Sequence, residues 1–151
     1  MGSRVLLVYY SLTGRTAKTA KLIARTYGLD TDEIKPVDSY PNDPFELSKL
    51  LCDGELDPRP KITPFEHDIR RYGTVVLGMP VWNNGLPPPV MTFLESTDWR
   101  GVKIHPFFST GGIYIGVYSK LKEACKGAGI TDPLYITYDS NGEILRIKEL
   151  R

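Results

Sequence analysis

"RVLLVYYSLTGRT", residues 4–16, decides the fold. Arg4 to Tyr10 form an almost unbroken apolar run, the pattern of a strand covered on both faces. Beyond the loop, Ala17, Ala20, Ala24 and Tyr27 recur at intervals of three and four. They make an apolar helical stripe of mostly small side chains, suited to close packing on a sheet. Arg15, Lys18, Lys21 and Arg25 take another face, read as solvated, and Gly28 stops the helix. Between strand and helix stands S-x-T-G-x-T. A helix start offers unpaired backbone N–H groups and the positive end of a dipole, which together suit an anion. Ser11, Thr13 and Thr16 add hydroxyl donors, and Gly14 lets the backbone approach closely. Such neutral donors suffice for a dianionic monophosphate. A triphosphate would call for the lysine of G-x-x-x-x-G-K-[ST], which is missing, and the loop is not G-x-G-x-x-G either. The bland alternative is that Ser11 or Thr13 merely caps the helix.

Further along, "TDEIKPV" (31–37) reads as a short edge strand, because Pro36 cannot donate to a ladder. "DPFELSKLLC" (43–52) starts a helix near Asp43, and "DGELDPRPKITPFEHD" (53–68), with three prolines, reads as an extended loop. His67 there has no recognisable sequence partner and reads as a surface histidine. "GTVVLGMP" (73–80) is a second buried strand pattern, followed by a proline-started helix from Pro87 to about Thr97. "VKIHPFFS" (102–109) is the next strand, with His105 read as packed or at an edge. Val117, Leu121, Ala124 and Ala128 place a helix at about 115–128. "PLYITYDSNGEILRIKEL" (133–150) alternates like a strand pair broken by Asn-Gly, a strong hairpin signal. Strands alternating with helices imply one α/β domain over residues 1–151, a doubly wound parallel sheet with right-handed crossovers. Ligands of such sheets sit beyond the carboxyl ends of the strands. That directs attention to residues 11–16, 80–86 and 109–114.

The totals set bounds. With 151 residues, 41% hydrophobic and 25% charged, the chain matches an ordinary soluble domain. A net charge of +1 predicts neither nucleic-acid nor membrane attraction, and no apolar stretch is long enough to span a bilayer. Two cysteines, Cys52 and Cys125, are too few for a disulfide scaffold and lack metal-ligand spacing. Cys125 reads as a reduced core thiol, which points to the cytoplasm.

The loops at 80–86 and 109–114 add to the first. In "PVWNNGLPPP" (80–89), Trp82 ends a strand and offers a flat face to a planar ligand, or else packs in the core. Asn84-Gly85 gives a peptide that turns at low steric cost. In "STGGIYIG" (109–116), Ser109, Thr110, Gly111 and Gly112 can present backbone groups to a heterocycle's edge. Tyr114 is a second aromatic wall or a cap of the next helix.

On these residues the chain resembles the flavodoxin family, from the first strand through the helix at 115–128. The match to the family's phosphate loop at Ser11, Thr13, Gly14 and Thr16 is complete. "GMPVW" (78–82) and "FFSTGG" (107–112) look like the subgroup with a Pro-x-Trp loop. The resemblance implies FMN as cofactor and strand order 2-1-3-4-5. It assigns the phosphate to Ser11, Leu12, Thr13, Gly14, Arg15 and Thr16. It encloses the flavin ring by Pro80, Val81, Trp82, Asn83, Asn84 and Gly85 on one side. Ser109, Thr110, Gly111, Gly112 and Tyr114 close the other. A turning peptide at Asn83–Gly85 would stabilise the neutral semiquinone of a one-electron carrier.

Two departures stand out. Dedicated carriers of this family are strongly acidic, whereas this chain is nearly neutral, which puts the basic-partner model in doubt. The tail "DSNGEILRIKELR" (139–151) is too short for a hairpin and the family's last helix together. Either it is a short helix or part of a sheet face lacks cover, and an uncovered face predicts a homodimer. Two activities fit: an electron carrier between redox partner proteins, or an NAD(P)H-dependent flavin or quinone reductase passing hydride through N5. Fold alone cannot choose. A receiver domain fails on Ser11, Leu12 and Met79, where acidic residues belong. A Cys-x5-Arg phosphatase fails because Pro58 and Thr131 follow the cysteines at six positions.

Overall fold

The computed structural model describes residues 4–41, 43–82, 85–110 and 116–149. Strand β1 (Val5–Tyr9) leads through the first loop into α1 (Arg15–Tyr27), then β2 (Asp30–Glu33), α2 (Pro44–Cys52) and a 3-10 turn at Ile69–Arg71. The second half runs β3 (Thr74–Pro80), α3 (Pro88–Glu95), β4 (Lys103–Ser109), α4 (Val117–Ala124), β5 (Gly129–Ile130), β6 (Leu134–Tyr138) and β7 (Ile144–Glu149). One sheet carries all seven strands in the order β2-β1-β3-β4-β6-β7, with β5 also on β4. The expected order 2-1-3-4-5 holds with β6 in the fifth place, and the pairs among these five strands are parallel. The tail is a strand, not a helix: β7 runs antiparallel to β6 around a turn at Asp139–Glu143. The Asp139 carboxylate accepts from the N–H groups of Asn141 and Glu143, and Gly142 supplies the positive φ of 79°.

The fifth strand is interrupted. β5 pairs with Lys103 and Ile104, β6 with Phe107 to Ser109, and the gap falls at His105–Pro106. The Ile104 carbonyl and the Thr110 N–H both bond toward this side, so strand alternation turns the donorless nitrogen of Pro106 the same way. The ladder lacks a rung there, and β5 is too short to show as a periodic pattern. Other bounds differ modestly: β2 stops before Pro36, and α4 ends at Ala124 rather than 128 because Gly127 adopts φ 97°.

The two faces are unequal. On one, Leu6, Val8, Val75, Leu77, Met79, Ile104 and Phe108 pack with α3 and α4 residues Val90, Phe93, Leu94, Val117 and Leu121. On the other, Leu7, Tyr9, Phe107 and Ile136 meet Ala20 of α1 in a much smaller cluster. Phe107 lies over its register partner Gly78, where a β-carbon would come within 2.0 Å of the ring. Beyond α1 this second face opens into a groove of about 570 Å³ lined by Leu22, Ile23, Val76, Phe107, Ile136 and Ile147. Tyr27, expected on the packed stripe, is 73% exposed at its rim, since no second helix stands beside α1 to receive it among the described residues. The face lacking cover, one of the two outcomes the tail allowed, is the one observed.

Candidate functional site

At the carboxyl ends of β1, β3 and β4, parallel pairing brings the three sequence-flagged loops together. Pro80 is in register with Ser109, and the Val81 N–H donates to the Ser109 carbonyl at 3.1 Å. The Tyr10 N–H donates to the Gly78 carbonyl at 3.0 Å. Leu12, Thr13, Arg15, Thr16, Pro80, Val81, Trp82, Ser109 and Thr110 line one cavity of about 180 Å³. Tyr138 of β6 completes the lining and was not signalled by any motif.

The first loop is not a side-chain cap. Gly14 occupies the cap position of α1 with φ 98°, and among the described residues no side chain caps the helix's first N–H groups. Ser11 Oγ instead accepts from the Gly14 N–H at 3.1 Å, holding the loop in its turn. The first helical turn carries no acidic residue, so its positive end stands open beside the cavity. Thr16 is buried, and its hydroxyl donates to Ser109 Oγ at 2.9 Å, tying the first loop to the third. Arg15 stays exposed, its guanidinium 6.0 Å from the centre of the Tyr138 ring.

The second loop is closed by reciprocal backbone bonds. The Trp82 N–H reaches the Gly85 carbonyl at 3.0 Å, and the Gly85 N–H reaches the Trp82 carbonyl at 2.7 Å. Asn83 and Asn84 lie outside the described residues, as do Gly111, Gly112 and Tyr114. Gly85 lines a different cavity, with Leu86 and Met91. The Trp82 ring is half-buried against two tyrosines, edge-on to Tyr10 at 5.6 Å and tilted to Tyr40 at 5.9 Å. Burial, followed by the charge of Asp57, pushes the Tyr40 phenol up to about 12. Its buried hydroxyl has no hydrogen-bond partner among the described residues. Sequence reasoning missed Tyr10 and Tyr40. Tyr10 hides within an apolar run, and Tyr40 in a segment without periodicity.

His67 departs from the expectation of an unpartnered surface residue. Its Nδ1 lies 2.9 Å from the buried Asp32 carboxylate, which also accepts from the N–H groups of Glu66 and His67. The pair joins β2 to a loop 35 residues away, a contact no local pattern reports. His105 bonds Thr131 Oγ1 at 2.9 Å, between β4 and the end of β5.

A parallel sheet with an open helix start and an aromatic-walled cavity at its carboxyl end defines a flavodoxin-like α/β protein. The chain belongs to the flavodoxin family, whose model, described as Flavodoxin, matches residues 4–143. It is similar in structure to a flavoprotein in complex with FMN from Lactobacillus acidophilus NCFM. That likeness has 23% identity, a TM-score of 0.77 and coverage of 89% of this chain and 93% of that one. A candidate flavoprotein from Bacteroides uniformis ATCC 8492 is 27% identical with a TM-score of 0.76, covering 93% and 94%. An oxidised flavodoxin 2 from Bacillus cereus is 20% identical with a TM-score of 0.57, covering 93% and 90%. No curated protein matches the chain. No helix among the described residues is long and apolar enough to cross a membrane.

Proposed function

We propose that the chain is an FMN-binding redox protein that carries electrons one at a time between larger partner proteins. The observation that carries this reading is the open start of α1, with no acidic residue in its first turn and no side-chain cap among the described residues, in one cavity with Trp82. The donor set suits the cofactor at both ends. The hydroxyls of Thr13 and Ser109 with the first N–H groups of α1 would hold a phosphate, Thr16 bracing Ser109, and Arg15 adds a positive charge. Trp82, braced from behind by Tyr10 and Tyr40, would lie against the ring. FMN, when bound, supplies electron transfer in steps of one or two. The protein's share is to seat the ring, to limit water around it through Trp82 and Leu12, and to offer backbone groups of the 80–85 and 109–114 loops to its edge. The related protein crystallised with FMN supports the same assignment.

The rival reading, an NAD(P)H-dependent flavin or quinone reductase, draws support from the net charge of +1, because a carrier steered to basic partners is usually acidic. Stepwise anaerobic reduction of the reconstituted protein, followed by NADPH and a quinone, separates the two. The carrier reading expects two resolved one-electron steps and no NADPH consumption. A single two-electron step with sustained NADPH oxidation would replace it by the reductase.

A further inference from the structure

The hairpin of β6 and β7 also reaches the end of the cavity beside the start of α1. Tyr138, the last residue of β6, puts its hydroxyl 2.5 Å from Thr19 Oγ1 and 3.1 Å from Ser109 Oγ. Thr16 Oγ1 donates to the same Ser109 oxygen at 2.9 Å. Four hydroxyls therefore form one chain, Thr19–Tyr138–Ser109–Thr16, that begins and ends on α1 and passes through β6 and β4. Thr16 and Thr19 are 2% exposed and Ser109 is 7% exposed, so these groups depend on one another rather than on water. The tip of the hairpin is fastened beside them by Lys18 and Glu143, whose charged atoms are 2.5 Å apart.

Proton counting gives the chain a direction. Four O–H groups share three bonds, which leaves one proton for an outside acceptor. Thr16, Ser109 and Tyr138 line the cavity, whereas Thr19 faces the apolar groove. An anionic oxygen in the cavity selects the arrangement in which Thr19 donates to Tyr138 and both Tyr138 and Thr16 donate to Ser109. Ser109 then accepts twice and turns its own proton to the anion. A hydroxyl that accepts two hydrogen bonds is polarised into a better donor. The Tyr138 ring also lies under the Arg15 guanidinium, keeping that cation near the same end of the cavity.

We propose that Tyr138 is a positioning residue for phosphate recognition: it aims the Ser109 hydroxyl, holds Arg15, and so makes the site prefer a phosphorylated flavin over riboflavin. This rests on the FMN reading above. The test compares FMN and riboflavin dissociation constants, from quenching of flavin fluorescence, for the flavin-free full chain and its variants. In Tyr138→Phe, FMN binding should weaken about tenfold while riboflavin binding moves less than about twofold, since only the charge-assisted bond is lost. Ser109→Ala should weaken FMN similarly, and the double variant should be no weaker than Ser109→Ala alone, the mark of two residues acting through one contact. Ile147→Ala, on the far side of the hairpin, should leave the FMN-to-riboflavin ratio unchanged and controls for general loosening of β6 and β7. Equal losses for both flavins in Tyr138→Phe, no loss for either, or additive losses in the double variant would overturn the assignment. A wild-type chain that quenches neither flavin would instead overturn the FMN reading, and this one with it.

Discussion

Trp82 is the side chain on which the ring end of the cavity depends most. Its ring is backed by Tyr10 and Tyr40, so its remaining exposure is toward the cavity. Stacking of a planar ring on an aromatic side chain is worth about 1–2 kcal/mol. Trp82→Ala should therefore weaken FMN about tenfold in a fluorescence titration and restore part of the quenched emission. Unlike Tyr138→Phe, it should weaken riboflavin to the same degree, because the ring is common to both. Cys125 provides a second test, unrelated to the ligand. Burial alone pushes its thiol from 9.0 up to about 11, and its S–H donates to the Leu121 carbonyl. A raised value in the folded state means stabilisation that is complete below pH 9 and lost as pH rises toward 11. Wild type should lose unfolding free energy in that window by urea denaturation, and Cys125→Ala should lose less. Alkylation at neutral pH should label the exposed Cys52 and spare Cys125 until the protein unfolds.

Among the elements, α1 and the loop before it form one wall of the candidate site. Gly14 holds φ 98° with nothing near a prospective β-carbon, so Gly14→Ala imposes backbone strain without a clash. The cost should be about 1–2 kcal/mol in chemical denaturation. FMN should also lose more affinity than riboflavin if the loop's shape serves the phosphate. This element was legible in the sequence because everything defining it is local: an apolar run, hydroxyls around a glycine, then alanines at helical spacing. β1, β3 and β4 were legible for the same reason, and the Asn141-Gly142 turn announced the hairpin. What escaped was tertiary. β5 is two residues set aside by a proline on its neighbour, and no periodicity survives at that length. Tyr138 reaches the cavity only because β6 pairs with β4, and Asp32 finds His67 only because a distant loop folds back over β2. Even the S-x-T-G-x-T loop was only half legible, since its residues left a plain helix cap open and the geometry decides against one.

At the scale of the whole molecule, one sheet face is sealed by two helices and the other, among the described residues, by α1 alone. The apolar groove left beside α1 is the surface on which the homodimer expected from the sequence would have to form. Sedimentation equilibrium of wild type and of Ile147→Lys checks this: a dimer abolished by the charge agrees with the expectation, and a wild-type monomer refutes it. The same architecture keeps the groove and the ligand cavity apart, so ligand binding should not depend on protein concentration. In that cavity, neutral donors at the opening of α1 and one tryptophan from the next loop would serve a single mononucleotide. Titrating FMN into the flavin-free chain and following its emission measures this. Saturable quenching at one FMN per chain, with a micromolar or tighter dissociation constant, is the expected outcome; emission that stays unquenched through micromolar concentrations would overturn the FMN assignment.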